Sequence, residues 1–139
     1  MPTIRRAEPA DRVRIFPLAE AFATSFRPEA AAFRESFDAL VADGDVRLLV
    51  ADDASEIVGY LLGFDHFTFF ANGRVSWIEE VTVRADRRGE GIGEALMDEF
   101  EAWAVARGSR LVGLATRRAD PFYLALGYEA SATYYRKLL

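Results

Sequence analysis

Six consecutive residues of this chain have the types and spacing to hold an anion: Arg88, Gly89, Glu90, Gly91, Ile92 and Gly93, with a second arginine, Arg87, just before them. Glycines let a backbone approach a ligand closely and take conformations that other residues avoid. A helical pattern begins here, and the first N–H groups of a helix have no internal partner and point outward. The helix dipole adds to their pull on an anion. Arg87 and Arg88 supply formal positive charge alongside. A pyrophosphate is the natural guest. Two widespread nucleotide signatures do not fit. A P-loop carries Lys and then Ser or Thr after its last glycine, whereas Glu94 follows Gly93. The dinucleotide fingerprint is G-x-G-x-x-G, and here the third glycine comes one residue too early.

The bulk composition narrows the chemistry further. A chain of 139 residues suits one domain, spanning residues 1–139. Hydrophobic residues make up 51% and charged residues 28%, enough for a sizeable core and unlike a disordered chain. The absence of cysteine excludes disulfides, thiolate zinc sites and a cysteine nucleophile. His66 is the single histidine, so no metal site is expected and a Ser-His-Asp triad would have to use that residue. A net charge of −5 disfavours nucleic acid as a partner. Residues Met1 to Arg6 lack the apolar run of a signal peptide, and no stretch is long enough to span a membrane. A soluble cytoplasmic protein with no membrane partner is expected.

The elements that must position the turn follow from periodicity. Thr3 to Ala7 forms a short strand candidate. Asp11 is placed to cap a helix carrying Ile15, Leu18, Ala19, Phe22 and Phe26, which Pro17 either kinks or restarts. Pro28 suits the first position of a second helix with Phe33, Phe37, Leu40 and Val41 on one stripe, and Gly44 suits its end. Val46 to Ala51, Ile57 to about Phe69, and Val75 to Val83 then read as an antiparallel meander, with turns at residues 52–56 and at Asn72-Gly73. An amphipathic helix from about Gly91 to Arg107 leads to a strand at Arg110 to Thr116, which implies a βαβ crossover and parallel pairing. A short helix from about Ala119 to Leu126 precedes a last strand, Tyr128 to Leu138. The fold class is α/β, with a mixed sheet of the α+β type. Its antiparallel meander feeds a βαβ unit, and helices lie on both faces.

Arg88, Gly91 and Gly93 meet the pattern Gln/Arg-x-x-Gly-x-Gly/Ala. The strand before it, Ile78 to Val83, and the downstream segment Phe122-Tyr123-Leu124-Ala125-Leu126-Gly127-Tyr128 stand at matching distances. Together these resemble the GNAT family of N-acetyltransferases, and the element order extends the resemblance over nearly the whole chain. The resemblance implies that acetyl-CoA is the donor. Its pyrophosphate would sit on the amides of Gly89, Glu90, Gly91, Ile92 and Gly93 with Arg87 and Arg88 nearby. Its pantetheine arm would pair with the backbone of Val81 and Val83. Thr116 stands where the family often has an asparagine that contacts the cofactor, and threonine has a shorter reach. Ala85 stands where a proline is common.

Acetyl transfer to an amine needs a base for the ammonium and an acid for the departing thiolate. The resemblance makes Glu79 the first candidate base, and Tyr123 matches the family tyrosine that protonates the sulfur. Glu80 is the second candidate, since strand alternation would turn it to the other face. The implied activity is N-acetyl transfer to a primary amine of a small molecule or peptide. The alternative is a non-catalytic acyl-CoA sensor. A binding protein for another nucleotide is a third reading. Acidic residues Asp65, Glu79, Glu80 and Asp120 favour a cationic acceptor such as a polyamine, an aminoglycoside-like amine or a peptide amine. His66 is a candidate for the acceptor groove. The aromatic run Phe64, Phe67, Phe69 and Phe70 is a candidate for that groove or for a homodimer interface, with core packing expected for at least half of it.

Overall fold

The structure, a computed structural model, describes residues 1–117 and 120–139, with Asp120 described by its backbone alone. A five-stranded sheet runs in the order of the sequence. Its strands are β1 (Thr3–Arg6), β2 (Val46–Asp53), β3 (Glu56–Thr68), β4 (Gly73–Val83) and β5 (Val112–Leu114). The first four pair antiparallel, and β5 joins β4 in parallel. The β2–β3 hairpin turns at Ala54 and Ser55, both at positive φ (52° and 73°), the backbone that a tight two-residue turn requires. The β3–β4 hairpin closes through Asn72 at φ 58°.

The sheet is buried on both faces, and alternation along β2 shows how. Leu49 and Ala51 pack with Ile92, Leu96, Met97 and Phe100 of α3 (Ile92–Ala106). Leu48 and Val50 point the opposite way, into a second cluster with Ile15 and Leu18 of α1 (Arg12–Phe22) and Phe37 of α2 (Ala30–Ala42). A strand covered on both sides reads as a continuous apolar run, and Leu48-Leu49-Val50-Ala51 does. The close fit of α3 on the sheet depends on Gly63, where an added Cβ would stand 2.3 Å from a Phe100 ring carbon and 2.9 Å from the Trp77 carbonyl oxygen. Among the described residues no helix is long and apolar enough to cross a membrane.

Several sequence expectations shift. α1 continues through Pro17 as one helix. Asp11 precedes α1, yet its carboxylate makes no cap on that helix. It takes both guanidinium nitrogens of Arg5 (2.8 and 2.9 Å) and the Glu8 N–H, and Arg5 holds its carboxyl below the ordinary range. α2 begins at Ala30, because Glu29 is extended (φ −112°) and leaves Pro28 outside the helix. α2 ends at an extended Asp43, so Gly44 has no capping role. The short helix α4 covers Asp120–Ala125, and Ala119, the expected start, lies outside the described residues.

Two corrections are larger. Residues from Tyr128 to Leu138 form no strand. Only Tyr128 is partly buried, and everything after it is exposed. Its β-type composition is not enough, because a strand needs a neighbour's backbone. The aromatic run is also not core. Phe64 is half-buried, but Phe67, Phe69 and Phe70 are exposed at the far tip of the β3–β4 hairpin, where Arg74 lies over the Phe67 ring.

Gly63→Ala is expected to lower stability by about 2 kcal/mol through overpacking against Phe100. Urea unfolding of the two proteins measures this directly. An unchanged midpoint would mean that α3 does not press on the sheet there.

Candidate active site

β4 and β5 stay together for only three residue pairs, Ser76 to Ile78 against Val112 to Leu114. The break coincides with a bulge. Leu62 faces Glu80 and Gly63 faces Ile78, so Glu79 is an extra residue with no partner on β3. Such an insertion bends a strand and increases its twist. Beyond it, Glu80 to Val83 pair with β3 on one side, and no described strand pairs with the other edge. A wedge-shaped cavity of about 790 Å³ opens there. Val81, Thr82 and Val83 form one wall and Leu114 to Arg117 the other, and the start of α3, Tyr123 of α4 and the end of α1 also line it.

The base of the wedge is the glycine turn. Gly91 takes φ 87° and ψ 7° immediately before Ile92, a left-handed conformation that costs a residue with a Cβ roughly 1 kcal/mol or more. Gly89 is at φ 81°. The first helical bond is Ala95 N–H to Gly91 carbonyl, at 3.1 Å, so the amides before Ala95 have no helical partner. The turn is held from outside. The Arg87 guanidinium bonds Asp53 on the β2–β3 turn at 2.7 Å and Glu90 at 3.1 Å. Arg88 donates through Nε to the Val83 carbonyl (3.1 Å), and among the described residues no carboxylate pairs with it. Gly93 is met by the Phe122 ring, 3.3 Å from where a Cβ would stand, which seats α4 on the start of α3.

A second groove, of about 590 Å³, lies across β3 and β4 against α1, α2 and the loop between these helices. It meets the wedge at three shared residues, Phe22, Thr24 and Glu79. Glu80 also lines it and accepts a 2.6 Å hydrogen bond from the Tyr60 hydroxyl. Burial pushes the Glu80 carboxyl above its ordinary range. The Tyr60 bond works against that shift, and the charge of Glu79 adds to it. Glu79 is exposed and accepts from the Trp77 indole N–H at 2.7 Å.

With this geometry in view, comparison with known proteins is informative. A model of the acetyltransferase (GNAT) family matches residues 13–128. The chain belongs to the GNAT acetyltransferase family. Members of this family use acetyl-CoA as cosubstrate. The chain is 32% identical over 112 residues, 78% of its length, to aminoalkylphosphonate N-acetyltransferase of Salmonella typhimurium, of which the match covers 73%. A solved structure described as a transcriptional regulator from Bacillus halodurans matches over the whole of both chains, with a TM-score of 0.89 and 27% identity. The fold is shared as well with glucosamine-6-phosphate N-acetyltransferase from Arabidopsis thaliana, with a TM-score of 0.86 and 21% identity over 99% of this chain and 98% of that one.

Within this GNAT domain the residues singled out from sequence fall into three groups. Glu79, Val81, Val83, Arg87, Arg88, Gly89, Gly91, Ile92, Gly93, Thr116 and Tyr123 all line the wedge. Burial raises the Tyr123 hydroxyl, which is therefore protonated at neutral pH. Glu90 does not line the wedge, and its carboxylate is taken up by Arg87. Glu80 lines the second groove together with Glu79, because the bulge breaks the alternation that would have put the two on opposite faces. Two residues, Asp65 and His66, leave the acceptor side altogether. Asp65 is buried at the other end of the sheet between Arg74 (2.6 Å) and Arg107 (2.7 Å). Burial works to raise its carboxyl, and the two guanidiniums outweigh that and hold it low. His66 is exposed near the hairpin tip and lines neither groove. The Asp120 side chain lies outside the described residues. Tyr60 and Phe22 were not anticipated. Tyr60 had no local signal, because its partner Glu80 is 20 residues away.

Tyr60→Phe removes the hydrogen bond that favours ionised Glu80 and leaves its burial in place. The Glu80 carboxyl should then titrate at higher pH than in the parent, as read by carbon-detected NMR. A downward shift would mean that the Tyr60 bond does not act on the charged form.

Proposed function

We propose that the protein transfers an acetyl group from acetyl-CoA directly to a primary amine. The observation that carries this reading is the unpaired edge of β4. It is a stretch at Val81 to Val83 with no described strand on its outer side, where the Val83 carbonyl is engaged by Arg88, and it leads into the amides at the start of α3 that have no helical partner. An extended arm ending in a pyrophosphate matches both parts. Val81 and Val83 would bond the pantetheine as a neighbouring strand does. The amides of Gly89 to Gly93, with Arg88, would hold the pyrophosphate. Arg87, engaged by Asp53 and Glu90, would shape the turn. The Salmonella relative's name, which includes an N-acetyltransferase acting on an amine, supports the same class of reaction.

Bound acetyl-CoA supplies an activated thioester. The chain's residues supply proton transfers and positioning. Glu80 is the preferred base: it is half-buried, its carboxyl is raised by burial, and it lines the groove that meets the wedge. It takes a proton from the ammonium, directly or through a water, and frees the lone pair for attack on the thioester carbon. Glu79, at the junction of the two cavities, would orient the cation. A free β4 amide would donate to the carbonyl oxygen as charge develops on it. The carbon–sulfur bond then breaks, Tyr123 gives its proton to the departing sulfur, and the second proton that the nitrogen sheds on becoming an amide returns through water to the Tyr123 oxygen. Glu80 later releases its proton to solvent.

A second reading is a non-catalytic acyl-CoA sensor. The 27%-identical Bacillus halodurans structure, described as a transcriptional regulator, favours it. Such a module needs the wedge but neither Glu80 nor Tyr123.

Arg88→Ala should weaken acetyl-CoA binding about tenfold, or ~1.4 kcal/mol, in calorimetric titration. Unaltered affinity would remove the assigned pyrophosphate site. Glu80→Gln and Tyr123→Phe should each lower kcat about 100-fold with acetyl-CoA affinity kept. In the parent, kcat/KM should rise with pH as Glu80 ionises, and this acid limb should move to higher pH in Tyr60→Phe. Binding of acetyl-CoA without acetylation of any amine would favour the sensor.

A further inference from the structure

The second groove has a chemistry that narrows the acceptor, and the argument rests on the acetyl-transfer reading above. Its walls are Phe22, Phe26, Pro28, Phe33, Leu40 and Leu62. Phe26 is 72% exposed on the loop between α1 and α2, an unusual place for a large aromatic ring with nothing to cover it. Phe33 is fixed by rings on either side, Phe16 at 5.0 Å and Phe37 at 6.1 Å. The cavity volume, about 590 Å³, is that of a small-molecule site.

Its charges are few. Glu79 and Glu80 line it where it meets the wedge. Among the described residues the other charged groups along it are Glu29, Arg27 and Arg136, all exposed. A polyamine or aminoglycoside carries several ammonium groups and needs a row of carboxylates, whereas among the described residues only Glu79 and Glu80 stand together, with Glu29 exposed just before α2. The buried acid Asp65 is spent on Arg74 and Arg107 at the other end of the sheet. An anionic substituent would find only solvated arginines, which contribute little. An ammonium beside Glu79 and Glu80 with an apolar body along the phenylalanines satisfies both parts of the lining.

We propose that the acceptor is a primary monoamine carried on an aromatic or branched apolar body, an arylalkylamine in chemical class. Phe26 and Phe33 hold the body, and Glu79 with Glu80 holds the ammonium.

The test is calorimetric titration of the full chain, saturated with CoA, against four probes: 4-phenylbutylamine, spermidine, a short aminoalkylphosphonate, and a peptide with an apolar N-terminal residue. The arylalkylamine is expected to bind at least tenfold tighter than each of the others. Phe26→Ser, at an exposed position that does not hold the fold together, should weaken it at least fivefold and leave spermidine unaffected. Ser36→Phe, which narrows the groove from α2, should do the same. Tighter binding of any other probe, or indifference of the arylalkylamine to both substitutions, overturns the proposal. Acetylated product is measured separately by mass spectrometry. An arylalkylamine that binds at Phe26 but is not acetylated supports this groove assignment and defeats the transfer reading. Acetylation of spermidine in preference to the arylalkylamine does the reverse.

Discussion

Two parallel strands remain hydrogen-bonded only while their backbones stay within reach, and in this protein β4 and β5 lose that reach after Ile78 and Leu114. Most of the site depends on this separation. The extra residue Glu79 turns β4 at the point where pairing ends. The space that opens runs from the end of the β4–β5 pairing to the start of α3. A sheet that stayed paired to the end of β4 would satisfy its own backbone and leave nothing for a ligand.

The same bulge joins the two cavities. In a regular strand, consecutive residues face opposite sides of the sheet, so a donor pocket on one side and an acceptor groove on the other would share no side chain. Here Glu79 lines both and Glu80 lines the second. The rest of the fold keeps that junction in place. The α3 cluster supports the sheet from one face and the α1–α2 cluster from the other. Arg87 fastens the glycine turn to the β2–β3 hairpin through Asp53. That pair is partly exposed, so its contribution is to the shape of the turn more than to global stability.

The parts of this architecture that were readable from sequence are those whose cause is local. The glycines at positions 89 and 91 adopt the positive φ that their type allows, and the amphipathic stripe of α3 and the Asn72 turn follow rules a few residues long. The family match over residues 13–128 agrees with the resemblance drawn from that turn and the Phe122-to-Tyr128 segment. The misreadings have distant causes. The facing of Glu80 depends on the register of β4 against Leu62 and Gly63 on another strand. The environment of Asp65 depends on Arg107, 42 residues away. Residues 128–138 have strand composition but pair with no described strand, and pairing is a property of two segments.

An open sheet edge is ordinarily a hazard, since a row of unpaired N–H and C=O groups invites any other extended chain to add itself. This protein keeps such an edge at its functional centre and protects it by position. The free side of β4 faces into a cleft walled by β5 and by Tyr123, where Val81 to Val83 are only partly exposed. A second protein's strand would have to enter that cleft to reach it. The separation of two strands thus makes the sheet adhesive at a recessed place and leaves its outer border unchanged.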